Sequence, residues 1–123
     1  MSADTSRPAV WTGHLTVKGT DLAASAAFYR DLGMREVMVR PDVAIFELRG
    51  GTHLVVQRQS ETDGGPTHWD LMVEDVHGAH DDWERKGLAV SPVTKGSIHE
   101  TFVVTDPDGN TIEVNSSHVV GPV

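Results

Sequence analysis

An internal repeat at an offset of 54 residues constrains this chain more than any other feature, because a fold must then be built twice from half the length. His14 falls on His68, Asp21 on Asp75, Leu22 on Val76, Tyr29 on Trp83, Gly33 on Gly87 and Met34 on Leu88, with no gap across 21 positions. Each half opens on an alternating run, His14-Leu15-Thr16-Val17 and His68-Trp69-Asp70-Leu71-Met72-Val73, with the period of a half-buried strand. Leu15 and Val17 share one face, as do Trp69, Leu71 and Val73; His14 and His68 therefore lie on the opposite face. Helices are expected at Leu22 to Leu32, capped by Asp21 or Thr20, and at Val76 to Lys86, capped by Asp75. Gly33 and Gly87 stand where a left-handed helix end favours glycine.

After each helix the period returns to two. Strands are expected at about Met34–Arg40, Val43–Arg49 and Thr52–Gln59 in the first half. In the second they fall at about Leu88–Val93, Ser97–Thr105 and Thr111–Asn115, with Asp106-Pro107-Asp108-Gly109-Asn110 as a tight turn. The expected fold is α+β: two tandem βαβββ modules forming a U-shaped mixed sheet with helices on its outer face. The modules span 13–59 and 67–115, joined by a linker at 60–66 and flanked by an N-terminal extension at 1–12 and a tail at 116–123. Neither half is large enough to be stable alone, so the two pack as a pair or exchange with a second chain; a homodimer is expected.

The length of 123 residues fits one structural domain made of two such units. A formal charge of -8, with the Lys and Arg scattered, disfavours nucleic acid and acidic lipid. The start lacks the apolar core of a signal peptide and no run reaches the length of a membrane helix, so a cytoplasmic location is expected. With no Cys, thiolate metal sites and Cys nucleophiles are excluded, which leaves His and carboxylates as metal donors.

His14 and His68 head equivalent strands, and Ile112 and Val114 belong to the core, so Glu113 points to the histidine face. If the two first strands lie side by side, two imidazoles and a carboxylate meet, a donor set suited to Fe, Mn, Ni, Co or Zn with positions open for substrate. His77 and His80, three apart on one helix among Asp81, Asp82 and Glu84, read as a solvated face; His118 lies in the tail.

The segments His14-Leu15-Thr16-Val17, Asp21-Leu22 through Phe28-Tyr29 and Leu32-Gly33-Met34 resemble the opening of a vicinal oxygen chelate module. His68 to Asp75 resembles the opening of the second module, and Asp106 to Val114 its ending. The resemblance runs from about Gly13 to Asn115 and implies a superfamily that includes glyoxalase I, extradiol dioxygenases, fosfomycin-modifying enzymes and metal-free bleomycin-binding proteins. It implies His14, His68 and Glu113 as metal ligands for a divalent ion chelating adjacent oxygens of a small molecule. The fourth ligand of the glyoxalase type corresponds to Val55, which cannot bind metal; His53 and Gln57 flank it on the same face, each roughly 6.5 Å away along the strand. The Tyr of the dioxygenase and fosfomycin branches corresponds to Val103, and the loop of the latter is echoed by Lys95-Gly96-Ser97.

Glu47 and His99 are the candidate proton-transfer groups, Glu47 because Phe46 and Leu48 take the core side and His99 because Phe102 and Val104 do. Val55, Gln57, Asp70, Lys95, Thr101 and Val103 are the candidate substrate contacts. The expected activity is dioxygenase-like or glyoxalase-like (lyase or isomerase) metal chemistry. The alternatives are a metal-free protein that binds a bleomycin-type antibiotic and a fosfomycin-type transferase.

Overall fold

The computed structural model describes residues 6–7, 12–59 and 66–117. Most of the expected N-terminal extension, the linker up to residue 65, and the tail beyond 117 with His118 lie outside the described residues.

The first unit runs β1 (His14–Gly19), α1 (Leu22–Leu32), β2 (Arg35–Val39), β3 (Val43–Glu47) and β4 (His53–Arg58). Its sheet has the order β1-β4-β3-β2, with β1 parallel to β4 and the other pairs antiparallel. The second runs β5 (His68–Val73), α2 (Val76–Arg85), β6 (Ala89–Val90), β7 (Thr94–Lys95), β8 (Glu100–Thr105) and β9 (Thr111–Ser116), in the order β5-β9-β8-β6 with β7 also on β8. The fold is α+β, and each sheet carries its own helix on one face. Asp21 caps α1 by accepting from the backbone N–H groups of Ala23 and Ala24 at 3.1 and 3.2 Å, and Asp75 caps α2 through Gly78 N–H at 2.9 Å. Gly33, at φ 105°, ends α1 in the left-handed conformation expected of it.

Two expectations change. The first strands share no hydrogen-bonded ladder: β1 pairs with β4 and β5 with β9, each standing at the edge of its own sheet, so the described strands form two mixed sheets. The strand expected at Leu88–Val93 is shortened and a separate β7 follows. Pro92 has no N–H to continue the ladder, and there the Ser91 hydroxyl replaces a backbone acceptor by taking the Val103 N–H at 2.8 Å.

The core faces of both sheets and both helices merge into one apolar cluster, with Tyr29, Phe46, Leu54, Phe102 and Ile112 fully buried. A polar joint ties the units. The turn between β8 and β9 sends Asp106 to accept from the Tyr29 hydroxyl at 2.9 Å, Asp108 to accept from Thr20 N–H at 2.9 Å, and Asn110 to donate to the Lys18 carbonyl at 2.8 Å. Burial and the Asp106 carboxylate push the Tyr29 hydroxyl well above the usual tyrosine range, so it stays a donor.

Gly19 sits at this joint. A Cβ there would come within 2.9 Å of Val56 Cγ1, 3.0 Å of Ser25 Oγ and 3.2 Å of Asp108 Oδ2. Gly19→Ala is therefore expected to cost about 1–3 kcal/mol of stability through overpacking, measurable by urea denaturation, whereas an unchanged midpoint would mean that the joint yields.

Candidate functional site

The face of each sheet turned away from its helix carries most of the candidate site residues. In the second unit the parallel register sets His68 opposite Thr111 and Asp70 opposite Glu113, while β8 brings Val103 opposite Glu113 from the other side. His68 Nε2 lies 3.6 Å from Glu113 Oε2, and His68 Nδ1 lies 2.7 Å from Thr111 Oγ1. The Thr111 hydroxyl can donate to Nδ1 or accept from it, so Thr111 fixes the orientation of the ring whichever nitrogen carries the proton. Both side chains are about half exposed. Burial of Ile112 and Val114 between these positions is what turns Glu113 outward.

In the first unit the equivalent register sets Thr16 opposite Val55, so Val55 occupies the place that Glu113 fills in the second unit. His14 lies opposite His53, and the two imidazoles stack with centroids 5.8 Å apart and 28° between their planes. His53 Nε2 is 3.2 Å from Glu47 Oε1, and the other Glu47 oxygen is bound by Arg35. The hydrogen bond from Arg35 holds the Glu47 carboxyl below its ordinary range, with His53 contributing, so Glu47 is engaged on both sides as an ionised group. Half-buried Met38, Ile45 and Val55 line the same face.

Other expected groups stand apart from these pairs. His99 precedes β8, and its Nδ1 lies 2.9 Å from the Ser116 carbonyl, three positions past Glu113 on β9, roughly 10 Å away along the strand. Lys95, opposite Glu100, belongs to that same end. The Thr101 hydroxyl is spent on Asn115 at 2.7 Å, and Gln57 accepts from Lys18 Nζ at 2.8 Å. His77 pairs with Glu100 as a surface group, but His80 is not on a solvated face: its ring packs edge-on to Phe102 at 5.2 Å and is only 14% exposed.

Among the described residues no three His, Asp or Glu side chains converge on one point that would hold a metal. His14 belongs to one sheet and the His68–Glu113 pair to the other, with no hydrogen-bonded ladder between β1 and β5. The donors present, neutral imidazole and carboxylate, fit a borderline divalent ion, but as two half-sites. Between the units a cleft of about 620 Å³ is walled by Leu15, Leu32, Met34, Leu48, Leu71 and Trp83, with Asp70 and Met72 also lining it.

A family profile described as a glyoxalase-like domain matches residues 14–115. The chain belongs to the glyoxalase-like domain family. The repeat, the turn at Asp106 to Asn110 and the strand-leading histidines all fall within that match, which lies in the glyoxalase, bleomycin resistance and dioxygenase superfamily. No curated protein matches by sequence. Among solved structures, lactoylglutathione lyase from Agrobacterium tumefaciens superposes with a TM-score of 0.75 at 21% identity, covering 91% of this chain and 96% of that one. TnmS3, an antibiotic-binding protein from Streptomyces sp. CB03234, gives 0.77 at 22% identity over 89% and 98%. The bleomycin-binding protein from Streptomyces verticillus, solved with copper(II)-bleomycin, gives 0.73 at 22% over 91% and 100%. At these identities the likeness establishes a shared glyoxalase-like fold.

Proposed function

We propose that this glyoxalase-like protein is a divalent-metal enzyme acting on a small molecule with adjacent oxygens, by lyase/isomerase or dioxygenase chemistry. Its sites are completed between two copies of the chain, His14 of one facing His68 and Glu113 of the other. The observation that carries this reading is the His68–Glu113 pair, 3.6 Å apart, with the imidazole braced by Thr111. A metal ion bound there would lower the pKa of a chelated hydroxyl or of the C–H beside a carbonyl. Val103, Val55, Ile45 and Met38 would exclude water around the substrate, and Asp70, opposite Glu113, would contact its polar end.

Charge and apolar surface support the pairing of copies. The helix-free face of the first unit carries Lys18 and the mutually paired Arg35 and Glu47 beside His14 and His53, whereas that of the second carries Asp70 and Glu113 beside His68, so the second face is the more acidic of the two. Met72, on the acidic face, is 43% exposed. Sedimentation is expected to report a dimer.

Metal analysis of protein purified without chelators tests the reading: one divalent ion per chain is expected, and His68→Ala is expected to lose it. Oxygen uptake on catechols would then select dioxygenase chemistry, and turnover of 2-oxo compounds without oxygen would select the lyase or isomerase class. The second reading, a metal-free antibiotic-binding protein, is favoured by Val55 in the place of a donor and by the fold shared with TnmS3. A protein without stoichiometric metal that binds such a drug tightly and does not turn it over would establish that alternative.

A further inference from the structure

We propose that the cleft between the two units binds an apolar monocarboxylate, an alkyl or aryl acid, with the Arg49 guanidinium taking the ligand's carboxylate in exchange for Glu74. The site lies on the core side of both sheets, so it neither uses the His68–Glu113 pair nor depends on a metal there.

Volume and lining set the body of the ligand. The cleft encloses about 620 Å³, within the roughly 300–1,000 Å³ of ordinary small-molecule sites. Leu15, Leu32, Met34 and Leu48 line it from the first unit, Leu71 and Trp83 from the second. Met34 and Trp83 are buried, but Leu15, Leu32, Leu48 and Leu71 are only partly so, although all four pack against the core. The two apolar faces thus meet here without closing on each other. Hydrocarbon that enters the cleft removes this remaining apolar surface from water, which favours an alkyl or aryl body.

Charge at the rim sets the head group. Among the described residues Arg49 is the one cationic side chain that lines the cleft. It reaches from the first unit to Glu74 of the second at 3.0 Å, with the two side chains 67% and 79% exposed. So exposed a pair is weak, and a carboxylate whose hydrocarbon already sits in the cleft replaces Glu74 at little cost. The short turn Arg49–Gly51 has room to follow the ligand, since a Cβ at Gly50 or Gly51 would meet nothing within 4 Å. Asp70 borders the cleft as well, but alternation along β5 turns its side chain to the face of His68 and Glu113, away from that of Leu71. The Thr52 hydroxyl at the rim already donates to the Thr12 carbonyl at 2.6 Å. The guanidinium is therefore the group placed to receive a charged head, and the head that suits it is a carboxylate.

Decanoate, decanol and decylamine share one chain and differ in head group, and each is titrated into the full-length protein by calorimetry and tryptophan fluorescence. Decanoate is expected to bind about tenfold tighter than decanol, the difference that a charge-assisted pair supplies. Arg49→Gln is expected to erase that preference while leaving decanol binding unchanged. Glu74→Gln, which frees the guanidinium, is expected to tighten decanoate about threefold. Both substituted side chains are exposed, so neither change threatens the fold. Equal affinities for decanoate and decanol, tighter binding of decylamine, no binding of decanoate, an Arg49→Gln protein that keeps the full preference, or a Glu74→Gln protein that binds decanoate no tighter would each overturn the proposal. All of these leave the metal content of the protein, and the reading that depends on it, untouched.

Discussion

Asp106→Ala is expected to lower stability by about 3–5 kcal/mol. The Asp106 carboxylate is buried and accepts four hydrogen bonds: from the Tyr29 hydroxyl at 2.9 Å, from Asp108 N–H at 2.9 Å, and from the Asn110 backbone and side-chain N–H groups at 2.8 and 2.7 Å. Tyr29 and Asn110 are themselves fully buried, so alanine would leave their donors facing apolar neighbours. Tyr29→Phe removes only one of these bonds and is expected to cost about 1.5–3 kcal/mol. Because the two share that bond, the double variant should cost less than the sum of the singles. Urea denaturation followed by tryptophan fluorescence measures all three. An Asp106→Ala loss under about 1 kcal/mol would show that water enters and pairs the exposed donors.

If the protein is the metal enzyme proposed above and each site is shared between copies, mixing His14→Ala with His68→Ala in equal amounts should restore about a quarter of the wild-type metal sites. The value follows from symmetry. Random exchange makes half the dimers mixed, and each mixed dimer unites the intact His14 of one chain with the intact His68 and Glu113 of the other at one of its two sites, leaving the second site doubly defective. Sites closed within a single chain would recover nothing on mixing, whatever the ratio. Metal content after exchange, measured beside unmixed controls, reads the difference directly, and His14→Ala mixed with Glu113→Ala should behave in the same way.

Much of the scaffold was legible because it depends on local periodicity. Asp21, Asp75 and Gly33 perform as helix punctuation, and the alternation around Ile112 and Val114 turns Glu113 outward as parity requires. Which strand lies beside which is a long-range property that the alternation does not encode. His14 and His68 lie on the helix-free faces as alternation requires, but their strands, each at the edge of its own sheet, share no hydrogen-bonded ladder. The same gap hid the neighbours of His53. Measured along β4 from Val55 it is displaced, but measured across the ladder it is the immediate neighbour of His14. Glu47 looked like a free base on its strand, because its bond to Arg35 forms only when β2 folds back on β3. His80 read as a solvated residue because only the tertiary fold brings Phe102 under it.

The polar joint also has a consequence for the order in which the molecule is made. Lys18, Thr20 and Tyr29 leave the ribosome long before Asp106, Asp108 and Asn110, from which they are separated by 77 to 92 positions. Until the closing turn is synthesised, the tyrosine hydroxyl and the Lys18 carbonyl have no partners from it, and the first unit's apolar face lacks half of its cover. A nascent chain stopped before residue 106 should therefore remain loosely packed and open to proteolysis or chaperone capture, with the final hairpin acting as the latch that commits both units at once.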